Sequence, residues 1–153
     1  DELPLRFYPN KSEFLFSPGL FGSFKPSNYN DKYDIFNIHW TSGGFQSISS
    51  IEKINKPIVI TLHDSWTFTG GCHIPFDCEK FMDSCGECPQ LNSTKKNDLS
   101  HLIWSKNNQA WKEKNLVLVG GSKWIADWCY GQSLDFIFAK VKLVGKFFSE
   151  CRR

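Results

Sequence analysis

Short apolar runs alternate with helical stretches along this chain, and that alternation limits its possible folds more than any other feature. Residues 58–62 read IVITL and residues 116–119 read LVLV, which is typical of strands buried in a sheet. Residues 34–40 are an earlier strand candidate, and residues 141–144 are a weaker fourth one. Strands alternating with helices predict right-handed βαβ units and a mostly parallel sheet with flanking helices. The predicted fold class is α/β.

Helical stretches separate these runs. About ten residues around Ile48, Ile51 and Ile54 have apolar side chains near helical spacing. Residues 99–111 show the same spacing after a cysteine-rich loop. Ser122 is a candidate N-cap for a third helix, because a hydroxyl at that position accepts from the first free backbone N–H groups.

Charge and hydropathy exclude several classes of protein. The net charge is +2 and the lysines are scattered, so no basic surface for nucleic acid is predicted. No apolar run approaches the roughly 20 residues that cross a bilayer. The sequence begins at Asp1 rather than Met, which predicts a processed or incomplete product. Without a signal-peptide pattern, the cytoplasm is the predicted location.

Residues with polar or catalytic potential follow three of the predicted strands. In parallel sheets, ligands gather beyond the carboxyl ends of the strands, so these residues are expected to share one edge. They are His39, Trp40, His63, Asp64, Gly121 and Ser122. His63 can exchange a hydrogen bond with a substrate oxygen near neutral pH, and Asp64 can orient it or take a proton. The plainer interpretation is a polar pair that ends a strand.

Two further features near this edge have alternative interpretations. Gly121 and Ser122 before a helix suit a phosphate, although a tight turn with an N-cap is the favoured interpretation of so short a motif. Trp66 lies beside the predicted edge and could stack on a sugar or an isoprenoid, or belong to the core.

Four cysteines fall within seventeen positions: Cys72, Cys78, Cys85 and Cys88. Four thiolates that include a Cys-x-x-Cys pair can form a tetrahedral site, with structural zinc as the usual metal. His73 could replace one ligand. Two disulfides and unmodified thiols are the alternatives that the sequence leaves open. None of these arrangements makes the cluster catalytic, because a closed four-thiolate site has no open position for substrate.

Several segments together resemble one family. The resemblance is to bacterial group 1 (family 4) glycosyltransferases, GT-B enzymes that build exopolysaccharide, colanic-acid-like polymers and O-antigen. Its centre is HDSWTFTGGCH at 63–73, with CGECPQL at 85–91. The supporting segments are FSPGLFG at 16–22, DIFNIHW at 34–40, GGF at 43–45, DCE at 77–79 and SKWIA at 122–126.

The resemblance implies two Rossmann-like domains facing each other across a cleft. His63 would lie near the donor sugar and diphosphate, stabilising charge and positioning the transferred group, with Asp64 in support. His39, Trp40, Gly43 and Gly44 would line the acceptor side. The partners would be a nucleotide-sugar, a saccharide or lipid-linked acceptor and a carboxyl-terminal GT-B domain, with peripheral association at the inner face of the membrane. Such enzymes use no catalytic metal, so a zinc ion would only brace the loop that carries His63.

The chain also departs from that family. It lacks the glycine-rich turn near the donor phosphates and the second domain with paired glutamates. On this basis residues 1–32 are an aromatic lead-in, residues 33–145 an incomplete acceptor-side domain and residues 146–153 a divergent tail. The chain alone is expected to be inactive as a transferase. The alternative is a small four-cysteine zinc module for binding or assembly, without catalysis.

Overall fold

A three-stranded parallel sheet forms the centre of the part of the chain that the structure describes. The computed structural model describes residues 1–131. Strands β1 (Phe36–Ile38), β2 (Ile58–Leu62) and β3 (Leu116–Gly120) lie side by side in that order. Ile38 is paired with Ile60, and Leu62 is paired with Gly120. The predicted α/β class is confirmed, and the arrangement is compatible with part of a Rossmann-like fold.

Within residues 1–131, three α-helices flank the strands: α1 (Ile48–Glu52), α2 (Leu99–Trp111) and α3 (Lys123–Gly131). Ser47 caps α1 through its hydroxyl, which accepts from the N–H of Ser50. Ser122 caps α3 in the same way, accepting from the N–H of Ile125 at 3.3 Å, as predicted. Helix α1 has five residues, about half the predicted length. The fourth strand and the tail predicted at 141–144 and 146–153 lie outside the described residues.

Alternation along the strands places one face of the sheet in the core. Ile58, Ile60 and Leu62 are buried on β2, whereas Val59 and Thr61 between them are partly exposed. This period of two is the pattern of a strand with one fully buried face. Helix α2 packs against that core through Ile103, Ala110 and Trp111, and α1 contributes Ile48 and Ile51.

The first 32 residues wrap around this core with little regular structure. Short 3-10 helices span Leu3–Phe7 and Pro26–Asn28. Phe16 is buried and forms an isolated antiparallel bridge with Cys72. Within residues 1–131, no helix is long and apolar enough to cross a membrane.

Candidate functional site

The ends of the three strands meet at one edge of the sheet. His39 and Trp40 follow β1, and His63 and Asp64 follow β2. Gly121 and Ser122 follow Gly120, the last residue of β3. Parallel pairing in register brings these ends together. A crevice opens there, lined by residues that include His39, Trp40, Thr41, His63, Asp64 and Trp66. We call this group of strand-end residues the rim.

Two imidazoles face each other on the rim. His39 Nδ1 lies 3.0 Å from His63 Nε2, and both residues are exposed. The distance is that of a hydrogen bond, so one nitrogen donates and the other accepts. His63 is therefore outside the hydrophobic core and on the same edge as Trp40 and Ser122. Its exposed face can meet a ligand that enters the crevice.

Asp64 does not point freely into the crevice, because both of its carboxylate oxygens have partners. Oδ1 accepts from the backbone N–H of Trp66 at 2.9 Å. Oδ2 lies 2.5 Å from His73 Nδ1. On the far side of the ring, His73 Nε2 lies 2.9 Å from the hydroxyl of Ser17. The Asp64 carboxylate is thus held in place by hydrogen bonds, directly after His63 in the chain.

The indole N–H of Trp40 also approaches His73 Nδ1, at 3.3 Å. Nδ1 cannot accept from Trp40 and donate to Asp64 with the same lone pair and proton. The contact with Asp64 is much shorter and joins an N–H to a carboxylate, which is the stronger kind of hydrogen bond. We therefore assign the proton of His73 to Nδ1 and regard the Trp40 contact as a close approach.

The remaining predicted binding residues differ in accessibility. Trp40 is 50% exposed, and its ring lies next to Gly43. Gly43 and Gly44 both have positive φ angles, 73° and 86°, in the turn that follows. Trp66 is only 6% exposed, and its indole N–H donates to the carbonyl of Ser17 at 2.8 Å. Substrate contact by these residues stays a prediction.

Gly121 and Ser122 lie at the third strand end. The Ser122 hydroxyl is already engaged as the cap of α3, so the simpler of the two interpretations explains its position. A Cβ at Gly121 would lie 3.4 Å from the carbonyl of Leu62, which shows how closely the two strand ends approach.

Cys72, Cys78, Cys85 and Cys88 line one pocket between the loop and the start of α2. All four are free cysteines, and the pocket also contains the rings of Phe16 and Phe81. Three consecutive residues, Cys85, Gly86 and Glu87, have positive φ angles of 50°, 104° and 45°. This backbone turns the Cys-x-x-Cys segment back on itself. We call the four residues the cysteine cluster.

The apolar pocket favours the neutral thiols. Burial raises the pKa of Cys72 to about 12, and burial also raises the pKa of Cys85 and of Cys88. The neighbouring sulfur atoms add to the effect. Across residues 1–131, no three His, Cys, Asp or Glu side chains are arranged so that they could hold a metal ion as they stand.

The N-cap of α2 ties the cysteine cluster to the core. Asp98 is buried and accepts from the N–H groups of Ser100 and His101, at 2.9 and 3.2 Å. Its other oxygen accepts from the N–H of Cys88 at 2.9 Å. Burial alone would raise the pKa of Asp98, but these hydrogen bonds outweigh it and the pKa is lowered.

Sequence reasoning missed the structural role of His73. The sequence pattern allowed it only as a substitute metal ligand, whereas both of its ring nitrogens are engaged by Asp64 and Ser17. Ser17 is 56 positions away in the chain, so no local spacing could predict the contact. The sequence offered only a weak signal, a histidine that follows Gly70, Gly71 and Cys72 in the loop after β2.

Comparison with known proteins shows a distant similarity. A protein of Escherichia coli (strain K12), provisionally named colanic acid biosynthesis glycosyl transferase WcaC, is 29% identical to this chain over 119 residues. The match covers 65% of this chain and 28% of the relative, so the chain spans less than a third of that protein's length. No family model matches the chain. No solved structure matches it either.

Proposed function

We propose that this chain is the acceptor-side domain of a GT-B glycosyltransferase that acts in surface polysaccharide biosynthesis. The whole protein would transfer a sugar from a nucleotide-sugar to a saccharide or lipid-linked acceptor. The observation that carries the proposal is the similarity to a protein named as a glycosyl transferase, combined with an exposed histidine at the carboxyl edge of a parallel sheet. Ligands of such sheets bind at that edge.

His63 has the central role in this proposal. Sugar transfer develops positive charge on the sugar and negative charge on the departing diphosphate, and both need fixed partners. The imidazole of His63 would contact the donor from the rim, with His39 as its hydrogen-bond partner. Trp40, Gly43 and Gly44 would border the acceptor. Asp64 would keep the loop in place and would not exchange protons with substrate, because both of its oxygens are engaged.

The test is sugar transfer by the longest polypeptide that carries this chain. Labelled UDP- and GDP-sugars would be incubated with a membrane fraction that contains lipid-linked acceptors. We expect transfer from one of these donors by the longer polypeptide and no transfer by the 153-residue chain alone. Turnover by the 153-residue chain would show that no further domain is needed for the donor. Absence of transfer by the longer polypeptide would contradict the proposed function.

We further propose that the cysteine cluster binds a structural zinc ion. Four free thiols line one pocket, and the reversed turn at residues 85–87 suits a Cys-x-x-Cys ligand pair. Binding would require the cysteine side chains to rearrange, since no ligand set is preformed among the described residues. The ion would close the loop that leads to the rim, and it would take no part in sugar transfer. A cluster that binds zinc in a longer polypeptide without transferase activity would favour the non-catalytic module instead.

Metal content decides this second proposal. We expect about one zinc per chain after purification without chelator, following the usual stoichiometry of a four-thiolate site. Cys85→Ser should abolish the zinc, whereas Cys151→Ser, a cysteine outside the cluster, should retain it. Purified protein with free thiols and no zinc would overturn the zinc site and leave the glycosyltransferase proposal intact.

A further inference from the structure

We propose that His73 is a positioning residue that fixes the loop after β2 and thereby sets the orientation of His63. The proposal rests on the proposed function only for the catalytic role of His63. The claim about geometry does not depend on that function. His73 is a buried polar residue whose contacts connect the rim, the amino-terminal segment and the cysteine cluster.

The side chain of His73 holds the residue next to His63. Its ring is buried, with 4% of the residue exposed. Nδ1 donates to Asp64 Oδ2 at 2.5 Å, and the opposite nitrogen pairs with the Ser17 hydroxyl at 2.9 Å. With the proton on Nδ1, Nε2 is free to accept from that hydroxyl. The ring therefore has a polar partner at both ends, and neither nitrogen is left unsatisfied in the core.

The backbone of His73 holds the following residue. Its carbonyl accepts from the N–H of Ser65 at 3.0 Å and from the Ser65 hydroxyl at 2.7 Å. Ser65 is fully buried. His73 thus fixes residues 64 and 65, the two that directly follow His63. With β2 on one side and this pair on the other, the backbone at His63 has little freedom.

The same residue connects the rim to the cysteine cluster through its neighbour. The Cys72 carbonyl accepts from the Thr69 hydroxyl at 2.6 Å, and Cys72 pairs with Phe16 in an isolated bridge. Gly71 precedes it with a φ of 113°, and a Cβ there would lie 2.7 Å from the Phe16 ring. The segment before His73 is therefore tightly packed. Because Cys72 is bonded directly to His73, this packing also restricts where the His73 ring can lie.

Ser17, His73 and Asp64 are linked in the order of a hydrolytic triad, but they do not form a second active site. A triad serine must reach a substrate carbonyl. Ser17 is only 6% exposed, and its backbone N–H and carbonyl are both engaged, by Gly71 and Trp66. The crevice is lined instead by residues of the strand ends. The hydrogen bonds among Ser17, His73 and Asp64 therefore orient the rim. The Ser17 hydroxyl is not available to attack a substrate.

The experiment is NMR of the chain labelled with 15N-histidine, at one fixed near-neutral pH. Long-range 1H–15N correlations report which ring nitrogen carries the proton, and an NOE between the rings of His39 and His63 reports their contact. We expect His73 as the Nδ1–H tautomer in the wild-type chain. His73→Phe keeps a ring but removes both polar contacts, and should lose the His39–His63 NOE. His73→Asn should keep it, because its amide nitrogen can occupy the place of Nδ1.

His101 is the internal control for folding. Its Nδ1 lies 2.8 Å from the carbonyl of Ser84, which can only accept, so this ring must show the Nδ1–H tautomer whenever the loop and α2 are folded. If His73→Phe loses that signal as well, His73→Gln is used in place of the Phe variant. The longer glutamine side chain carries its amide to the position of Nε2, next to Ser17, and leaves no donor at the position of Nδ1, next to Asp64. With His101 intact, the Gln variant should lose the His39–His63 NOE.

Three results would overturn the proposal: a bare Nδ1 on wild-type His73, an unchanged NOE in a folded Phe or Gln variant, or loss of the NOE in the Asn variant as well. None of these readouts uses transferase activity. The positioning role of His73 can therefore be tested even if the proposed function is wrong.

Discussion

His39 and His63 share a hydrogen bond across the gap between two parallel strands, with Nδ1 of the first 3.0 Å from Nε2 of the second. The two residues are 24 positions apart, and the pairing of β1 with β2 brings them together. The rim is therefore a product of the sheet register, and a change in register would separate the rings.

The hydrogen bond between His39 and His63 requires that one of the two facing nitrogen atoms carries a proton and that the other does not. We expect the neutral rings to show complementary states, one bare and one protonated at the facing nitrogens, with a scalar coupling across the hydrogen bond. The measurement is a 15N spectrum of the wild-type chain and of His39→Ala. Loss of His39 should change the tautomer balance of His63 and leave the His101 signal where it was. Identical His63 shifts in both proteins would show that the pair is not formed in solution.

The buried cap Asp98 should contribute strongly to stability. Asp98→Ala removes the N-cap of α2, worth about 1 kcal/mol, and leaves the buried N–H of Cys88 unpaired at about 1–3 kcal/mol. We expect the free energy of unfolding to fall by about 2–4 kcal/mol. Asp98→Asn keeps an acceptor and should cost less. Urea denaturation of the three proteins is the measurement, and equal losses for Ala and Asn would contradict the assignment to lost hydrogen bonds.

The pH dependence of stability follows from the lowered pKa of Asp98. Because the folded state binds this proton less tightly than the unfolded state, the ionised form stabilises the fold above the ordinary pKa of 3.8. That contribution is lost as the pH falls through the still lower folded value. Between wild type and Asp98→Asn, the difference in unfolding free energy should therefore shrink below about pH 4. A difference that stays constant through this range would show that Asp98 has an unshifted pKa.

The tight turn in the cysteine cluster should tolerate no side chain at Gly86. Its φ is 104°, and a Cβ would lie 2.1 Å from the carbonyl oxygen of Lys96. Gly43 is the matched control, because its φ is also positive at 73° but its nearest neighbour is 3.8 Å away. Thermal unfolding should show that Gly86→Ala costs several kcal/mol, whereas Gly43→Ala costs about 1–2 kcal/mol for its backbone alone. Equal costs would mean that the Lys96 contact is absent in solution.

Metal-free protein should lose stability at alkaline pH. Burial raises the pKa of Cys72 from 9.0 to about 12, so the folded state retains a proton that the unfolded state releases. This contribution is complete below about pH 9 and disappears as the pH approaches 12. We expect a fall in urea midpoint over that range, smaller in Cys72→Ala. A midpoint that falls equally in both proteins would indicate that other groups dominate the alkaline transition.

The strands with continuous apolar runs were the most predictable part of the fold. Residues 58–62 form β2 as predicted, because β-branched side chains leave little alternative in a buried position. Helix α1 was predicted too long: its five residues are followed by a chain that must reach Pro57, and the residue before a proline avoids the helical region. The local sequence showed where the elements lie better than how far they extend.

The rim was predictable in part, and for a physical reason. Parallel strands end at one edge, so His39 and His63 could be grouped from sequence, but their 3.0 Å contact depends on side-chain geometry. The links through Ser17, His73 and Asp64 depend on how the first residues wrap around the core, which no periodicity encodes. Roles that require long-range contacts between irregular segments are the ones that sequence patterns miss.

The most direct test of the account is the turnover number of sugar transfer by the longest polypeptide carrying this chain, for wild type and His63→Ala. Asn37→Ala, which changes an exposed polar residue of β1, is the control. Loss of a group that stabilises transition-state charge should lower kcat by roughly 100-fold or more, with Asn37→Ala near wild type. A His63→Ala protein that transfers sugar at the wild-type rate would contradict the central claim that this imidazole serves the reaction.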